Sequence, residues 1–446
     1  MFPRQVGRPK ALHCLRLYRA PHLAIPAKIS TDFSKIRSRH MSFDIDDFLT
    51  PPCELLAFGE PTHREPAFAW VRNGLFAELV DRGFRSIALE TDRVAALLVN
   101  DFVQEGVGEL DAVLSEGFSH GFGSLDANRH LVAWMRAYNE SRPPAQRLAF
   151  HGFDAPMETM SAPSPRRYLE YARAYLRLDL DFASLLGDDE QWSRTEAVLD
   201  PEASIGATAE AGALRVLADD MLTVLYTRAP ELITATSRAE WRKAEAHLTG
   251  CLGLLRYHKQ AAQRIDRSAR ISRLSATRDA LMAQNLLDIR RVESRRGPTL
   301  VFAHNLHLRR NRSAMRMADM EVDWLSAGAV FDSLMGEEYA FIAGSLGRSE
   351  AIGLREPEPD TYESCLQSRI PTWGLTAPAD VSAAHTRTDT TPEQGYFPLD
   401  RATIDAADAI LHVSDGTAVR CPPEFERPHR AVHHDPRGHE VRVHGG

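Results

Sequence analysis

The stretch ELLAFGEPTHREPAFAWVRNGLFAELVDRGFRSIALETD (Glu54–Asp92) holds the unit from which the rest of the chain can be read. It opens with an apolar run, Leu55–Phe58, and turns at Gly59. Glu60 and His63 come straight after the turn. Phe68, Val71, Leu75, Leu79 and Val80 then recur at helical spacing, which predicts a helix over roughly Pro66–Arg82. A second apolar run, Ser86–Leu89, ends in Glu90 and Asp92.

The same alternation continues downstream. A helix is expected after the second strand through Phe102 and another over Leu125–Asn139. Strand-and-turn segments are expected at Arg147–Asp154 and Thr299–His307, and strands at Tyr339–Gly347 and Ala409–Asp415. Strands alternating with helices predict an α/β fold, a mostly parallel sheet flanked by helices. Between them the strand signal disappears. An Ala-, Leu-, Arg- and Glu-rich stretch predicts long helices such as Thr208–Tyr226, Ser237–Ile265 and Leu274–Glu293. The expected organisation is a disordered basic extension (1–45), a first part of the core (46–160), a helical insertion (161–296), a second part of the core with Pro/Thr-rich loops (297–422) and a disordered His-rich tail (423–446). Residues 348–400 read as loops with little regular structure.

Charge narrows the partners. The first forty residues hold nine Lys and Arg and one acid, Asp32, while the remainder carries 44 basic and 60 acidic residues. The basic segment reads as an extension ahead of a folded protein beginning near Met41, with a transit-like segment as the alternative. A body this acidic argues against nucleic acid as the main partner and would tolerate a cationic ligand better than an anionic one. No apolar run approaches the ~18 residues of a membrane span. The five cysteines are scattered, with no CxxC, so neither a disulfide framework nor a zinc knuckle is indicated. These features point to a protein of the cytoplasm, with no membrane partner. The oligomeric state is not legible.

Chemistry gathers at the strand ends. In a parallel sheet, side chains just past the carboxyl ends of strands converge on one crevice. Four expected strands end in titratable residues: Glu60 and His63, Glu90 and Asp92, His151 and Asp154, and His304 with Asn305 and His307. A His flanked by carboxylates suits a general base acting on water. A second, protonated His suits donation to a developing oxyanion or a leaving group. Arg72, in the first helix, adds a fixed charge or holds a carboxylate. The segment GFSHG (Gly117–Gly121) matches G-x-S-x-G literally. However, a nucleophile elbow needs a strand before it and a helix directly after, whereas here helix precedes and loop follows, so Ser119 is not expected to attack. Glu60, His63, Glu90, His304 and His307 are acceptable metal ligands by type, but their spacings lack the i, i+4 geometry of HExxH and no metal is expected. Neither a Walker motif nor a G-x-G-x-x-G after a strand is present, so no nucleotide cofactor is supported.

On these residues the sequence resembles the erythromycin esterase family. Its Gly-Glu-x-Thr/Ser-His opening, followed by a helix with an Arg, is matched by Gly59–His63 and Arg72. The second-strand motif is matched by GFRSIALE (Gly83–Glu90), and the helix ending in W-(L/M)-R-x-YN by Trp134–Asn139. The resemblance continues in Gly152–Asp154, in RDALMAQNL (Arg278–Leu286), in FAHNLH (Phe302–His307), and in YFPLD and ADAILHV near the end. Pro61 and Arg64 depart from the family pattern, which more often has a small residue and Gly there. The resemblance implies hydrolysis of a macrolide lactone ester by His-activated water without a covalent intermediate. It implies an α/β core whose helical insertion forms one wall of a deep active-site cleft. It puts Glu60 and His63 on the catalytic pair, and Arg72, His304 and His307 in the site. The expected assignment is therefore Glu60, His63, Glu90 and His304 as catalytic residues, with Arg72, His151, Asp154 and His307 binding a small-molecule ester or macrolide. A different ester substrate, a transferase role in secondary-metabolite or polysaccharide biosynthesis, and a metal- or haem-binding protein using the same crevice are the alternatives.

Overall fold

The computed structural model describes residues 53–426 apart from 159–160, 318 and 383–384, together with Ile45. The expected basic extension and all but the first residues of the expected His-rich tail lie outside the described residues.

Seven strands form one sheet: β1 (Leu55–Glu60), β2 (Ser86–Asp92), β3 (Ala149–Asp154), β4 (Thr299–His304), β7 (Tyr339–Arg348), β8 (Trp373–Thr376) and β9 (Ala409–Asp415). Their order is β3-β2-β4-β1-β7-β9-β8. All neighbours are parallel except β8, which runs antiparallel to β9 at the edge. β1 and β4 are buried along their whole lengths, as expected for strands covered on both faces. The four strands that carry the titratable ends are thus consecutive neighbours, which lets their carboxyl ends share one crevice. A hairpin, β5 (Arg312–Met317) with β6 (Met320–Leu325), stands apart from the sheet.

Helices α1 (Pro66–Asp81), α2 (Ala96–Glu105), α3 (Leu110–Gly117) and α4 (Asp126–Glu140) belong to the first part of the core. α1 starts cleanly because the buried Glu65 carboxylate caps the Ala67 N–H at 3.0 Å and Pro66 needs no donor. The long helical stretch includes α5 (Arg166–Leu176), α6 (Ala209–Thr227), α7 (Arg238–Ala261) and α8 (Arg267–Glu293), and builds a core of its own around Tyr168, Trp192, Leu214 and Leu254. α8 begins seven residues before the expected Leu274, because Asp266 supplies an N-cap to Ala269 N.

Several segments read as loop or left unread are ordered, among them β8, the helices Ala327–Met335, Tyr362–Gln367 and Arg401–Ala406, and the β5–β6 hairpin. β8 lies within the Pro/Thr-rich region, where four residues are too short to show a period. The β5–β6 hairpin does alternate, with Met320, Val322 and Trp324 buried and their neighbours exposed. Trp324 anchors it by donating Nε1–H to Asp279 Oδ2 of α8 at 2.9 Å.

Candidate active site

Glu60 ends β1, and the tight turn beyond it returns His63 to the same carboxylate, with Nδ1 to Glu60 Oε1 at 2.8 Å. The register pairs Glu60 with His304, the last residue of β4. Asn305 then ties the β4 end to β7, donating to Gly344 O at 2.8 Å and accepting from Gly344 N at 3.0 Å. Gly59 is required here, since a Cβ would stand 2.1 Å from Asn305 Oδ1. The short helical turn that follows, Asn305–Leu308, presents His307.

Glu90, near the end of β2, is the hub. Its Oε2 accepts the His304 backbone N–H at 2.9 Å, and its Oε1 accepts from Arg278 Nη2 at 3.1 Å. The same Oε1 lies 3.4 Å from His307 Nε2 and 3.7 Å from His63 Nε2. Burial alone would raise the Glu90 carboxyl, but His307, His63, Arg278 and the His304 N–H together hold it well below the usual carboxylate range. Burial would lower His63, yet Glu90 and Glu60 outweigh it and bring the imidazole up to about 9. His307 donates from Nδ1 to Asp279 Oδ1 at 2.7 Å, and the Asp279 and Glu90 charges raise it against the effect of burial. Burial raises Glu60, with the His63 contact opposing it.

His304 is the exception. Its Nδ1 accepts from Leu306 N at 3.2 Å, which puts the ring proton on Nε2. Burial, aided by the neighbouring His63 charge, brings this ring down to about 3, so it is neutral at physiological pH. Among the described residues its buried Nε2 completes no hydrogen bond of normal geometry, although the Pro61 backbone carbonyl is close enough to oppose slightly the loss of basicity. The ring is held by Phe397, edge-on at 4.9 Å between centroids, and lies 5.2 Å from the His63 ring.

The structure therefore brings together Glu60, His63, Glu90, His304 and His307. Asp154, fully buried, stands one layer back, where Arg278 grips it through Nε and Nη2. Arg72 is buried under the Phe302 ring at 4.9 Å, where its charge acts on Glu60. His151 does not join the cluster. It lies within β3 rather than beyond its end, three residues before Asp154, so strand alternation turns the two apart. Its Nε2 contacts Glu293 Oε1 at 2.9 Å, and Arg93 Nη1 meets its Nδ1 at 3.2 Å.

Three participants were not named from sequence as site residues. Arg278 and Asp279 come from α8, where they open the RDALMAQNL segment already matched to the family, and their place as adjacent charges among buried Leu274, Leu281 and Met282 was the further signal. His120 lies in the GFSHG segment, in the left-handed region at φ 57°. It reaches Asp154 Oδ2 at 2.9 Å and Glu158 Oε2 at 3.1 Å. Ser119 instead ties the β2 end to this turn, accepting from Asp92 N at 3.0 Å beside Thr91. Beneath His63, between Glu60, Arg72, Glu90, Phe122 and Phe302, lies a cavity of about 30 Å³, room for about one water. Among the described residues no three His, Cys, Asp or Glu side chains converge as a metal cage, and no helix is long and apolar enough to cross a membrane.

Comparison with known proteins bears on this geometry. A family model described as Erythromycin esterase matches residues 79–438. That span includes Glu90, Asp154, Arg278, His304 and His307 and begins after Glu60 and His63. Three solved structures are similar. A Bacillus cereus protein aligns at TM-score 0.60 and 16% identity over 83% of this chain and 90% of its own. A succinoglycan biosynthesis protein aligns at 0.56 and 16% over 81% and 88%. A mutant of the erythromycin esterase EreC, in its open conformation, aligns at 0.57 and 19% over 84% and 95%. No curated protein matches.

Proposed function

The chain belongs to the erythromycin esterase family, and from that premise we propose that it is a hydrolase that cleaves a carboxylic ester or lactone with water activated by His63. The observation that carries the proposal is the meeting of His63, paired to Glu60, with the neutral His304 ring, whose Nε2 completes no hydrogen bond of normal geometry among the described residues.

The roles follow from the hydrogen bonds. Glu60 accepts the His63 Nδ1–H, so in the neutral ring Nε2 carries the free lone pair. That nitrogen takes a proton from water as the water oxygen attacks the substrate carbonyl carbon. The carbonyl oxygen becomes an oxyanion and accepts from His304 Nε2–H, a donor that completes no hydrogen bond of normal geometry among the described residues. When the tetrahedral intermediate collapses, the bond to the alkoxide breaks and the His63 imidazolium protonates the leaving oxygen. Glu90 steadies the imidazolium. Asp279 orients His307, whose raised basicity suits it to hold a substrate oxygen as a cation. Asp154 positions Arg278 rather than meeting the substrate.

The substrate proposed first is a macrolide lactone, with other small-molecule esters in the same class. A second reading, transfer of the acyl group to an acceptor alcohol in biosynthesis, draws support from the succinoglycan biosynthesis protein among the similar structures. Mass spectrometry of a 14-membered macrolide and a panel of simple lactones, incubated with wild type and with His63→Ala, separates these readings. A gain of one water with wild type alone supports hydrolysis. Product only when an acceptor alcohol is supplied supports transfer. Equal hydrolysis by both proteins overturns the assignment of His63.

A further inference from the structure

His151, left out of the catalytic cluster, lies on the floor of a different pocket. This pocket has a volume of about 290 Å³ and is walled by α2, the edge strand β3, α7 and α8. It is wide enough for a small organic molecule and below the size that would enclose a macrolide.

Its charges are almost all spoken for. Asp101 pairs with Lys243 at 2.8 Å, Glu105 with Arg147 at 2.8 Å, Glu245 with Arg291 at 2.9 Å, Asp288 with Arg93 at 2.8 Å, and Glu293 with both Arg296 and His151. The His151 Nδ1 lone pair faces the Arg93 guanidinium, so its Nε2–H goes to Glu293 and the ring is neutral. Burial lowers this imidazole further. One charged lining group has no hydrogen bond or ion pair to any described residue: Arg242 of α7. Partial burial and the neighbouring Arg291 and Arg238 charges weaken its hold on its proton, outweighing the opposing pull of the Asp288 and Glu245 carboxylates, neither of which is in ion-pair contact with it.

We propose that this pocket is a second small-molecule site, separate from the strand-end cluster, which binds a small organic carboxylate with its charge on Arg242 and its apolar body against Leu97 and Val292. One unpaired guanidinium satisfies one carboxylate, in a bidentate pair. A phosphate dianion would want more donors, and the acids around the rim would repel it. The apolar walls favour an acid with a hydrocarbon body over a bare ion. The two elements beneath the site also reach the cluster: β3 carries His151 and Asp154, and α8 carries Glu293 and, about four turns earlier, Arg278 and Asp279. The inference does not rest on the catalytic reading.

Calorimetric titration of the full chain with benzoate, benzyl alcohol, acetate and inorganic phosphate tests the proposal. Benzoate should bind and benzyl alcohol should not. Arg242→Ala should weaken benzoate about tenfold or more. Arg256→Ala, the same charge change at an exposed position of α7, should leave benzoate binding unchanged. Arg242 has no protein partner to lose, so its variant should fold. No benzoate binding to wild type, an undiminished affinity in Arg242→Ala, equal losses in the two variants, or a preference for phosphate would each overturn the proposal.

Discussion

Two buried histidines in the same sheet behave alike by most measures and differ in one. His304 ends β4 and His412 lies within β9. Burial brings both imidazoles down to about 3, so both are neutral. His412 has both nitrogens engaged, Nδ1 with Ser345 Oγ at 3.0 Å and Nε2 with Gln367 Oε1 at 3.0 Å. His304 spends one nitrogen on Leu306 N and, among the described residues, completes no hydrogen bond of normal geometry with the other, in a ring 5.2 Å from that of His63. Burying an unsatisfied donor costs about 1–3 kcal/mol, and a protein retains that cost where something else supplies the acceptor. Burial and weak basicity therefore do not separate the two rings; the open hydrogen-bonding position of His304, beside His63, does. The His412 ring is held at both nitrogens, and the His304 ring at one.

The sharpest way to break this contrast is to remove the base. His63→Ala should lower kcat about 100- to 10,000-fold on whatever ester the wild type hydrolyses, measured at saturating substrate, and should lower Tm as well, because the buried Glu60 and Glu90 carboxylates lose the imidazolium between them. Next, His304→Ala should lower kcat about 100- to 1,000-fold, whereas His412→Ala should leave kcat near wild type. The pH dependence comes third. A general base works unprotonated, and the His63 imidazole is raised to about 9 in the free protein. The kcat/KM should therefore climb about tenfold per pH unit below that value and level off above it. A plateau already reached at pH 6 would mean that another group is the base.

The smaller effects concern stability. His412→Ala strands Ser345 and Gln367 and should cost about 1–3 kcal/mol in urea unfolding. His304→Ala removes an unsatisfied donor and should cost less. Ser119→Ala should change kcat by less than about twofold and stability by about 1 kcal/mol, since its hydroxyl only ties the β2 end to the following turn.

The strand ends were legible because a parallel sheet converts a one-dimensional pattern, apolar run followed by acid or imidazole, into a shared location. Glu60, His63, Glu90, His304 and His307 needed only that rule and the neighbouring order of β1, β2 and β4. His151 obeyed the same pattern and went elsewhere, because it sits inside β3, where a shift of one residue changes the face. Arg278 and Asp279 were hidden for another reason. They act from a helix, and no local pattern says against which strand end a helix will pack. His120 depends on a left-handed turn between two glycines, a conformation the sequence permits without announcing. The four-residue β8 was obscured by its Pro/Thr-rich surroundings.

The most direct test of the account is nitrogen NMR of imidazole-labelled protein at pH 7, with the His304 signals assigned by their loss in His304→Ala. The account predicts a neutral ring with the proton on Nε2 and a bare Nδ1, unchanged as the pH falls to about 4. A ring protonated on both nitrogens at pH 7, or one carrying its proton on Nδ1, would contradict it.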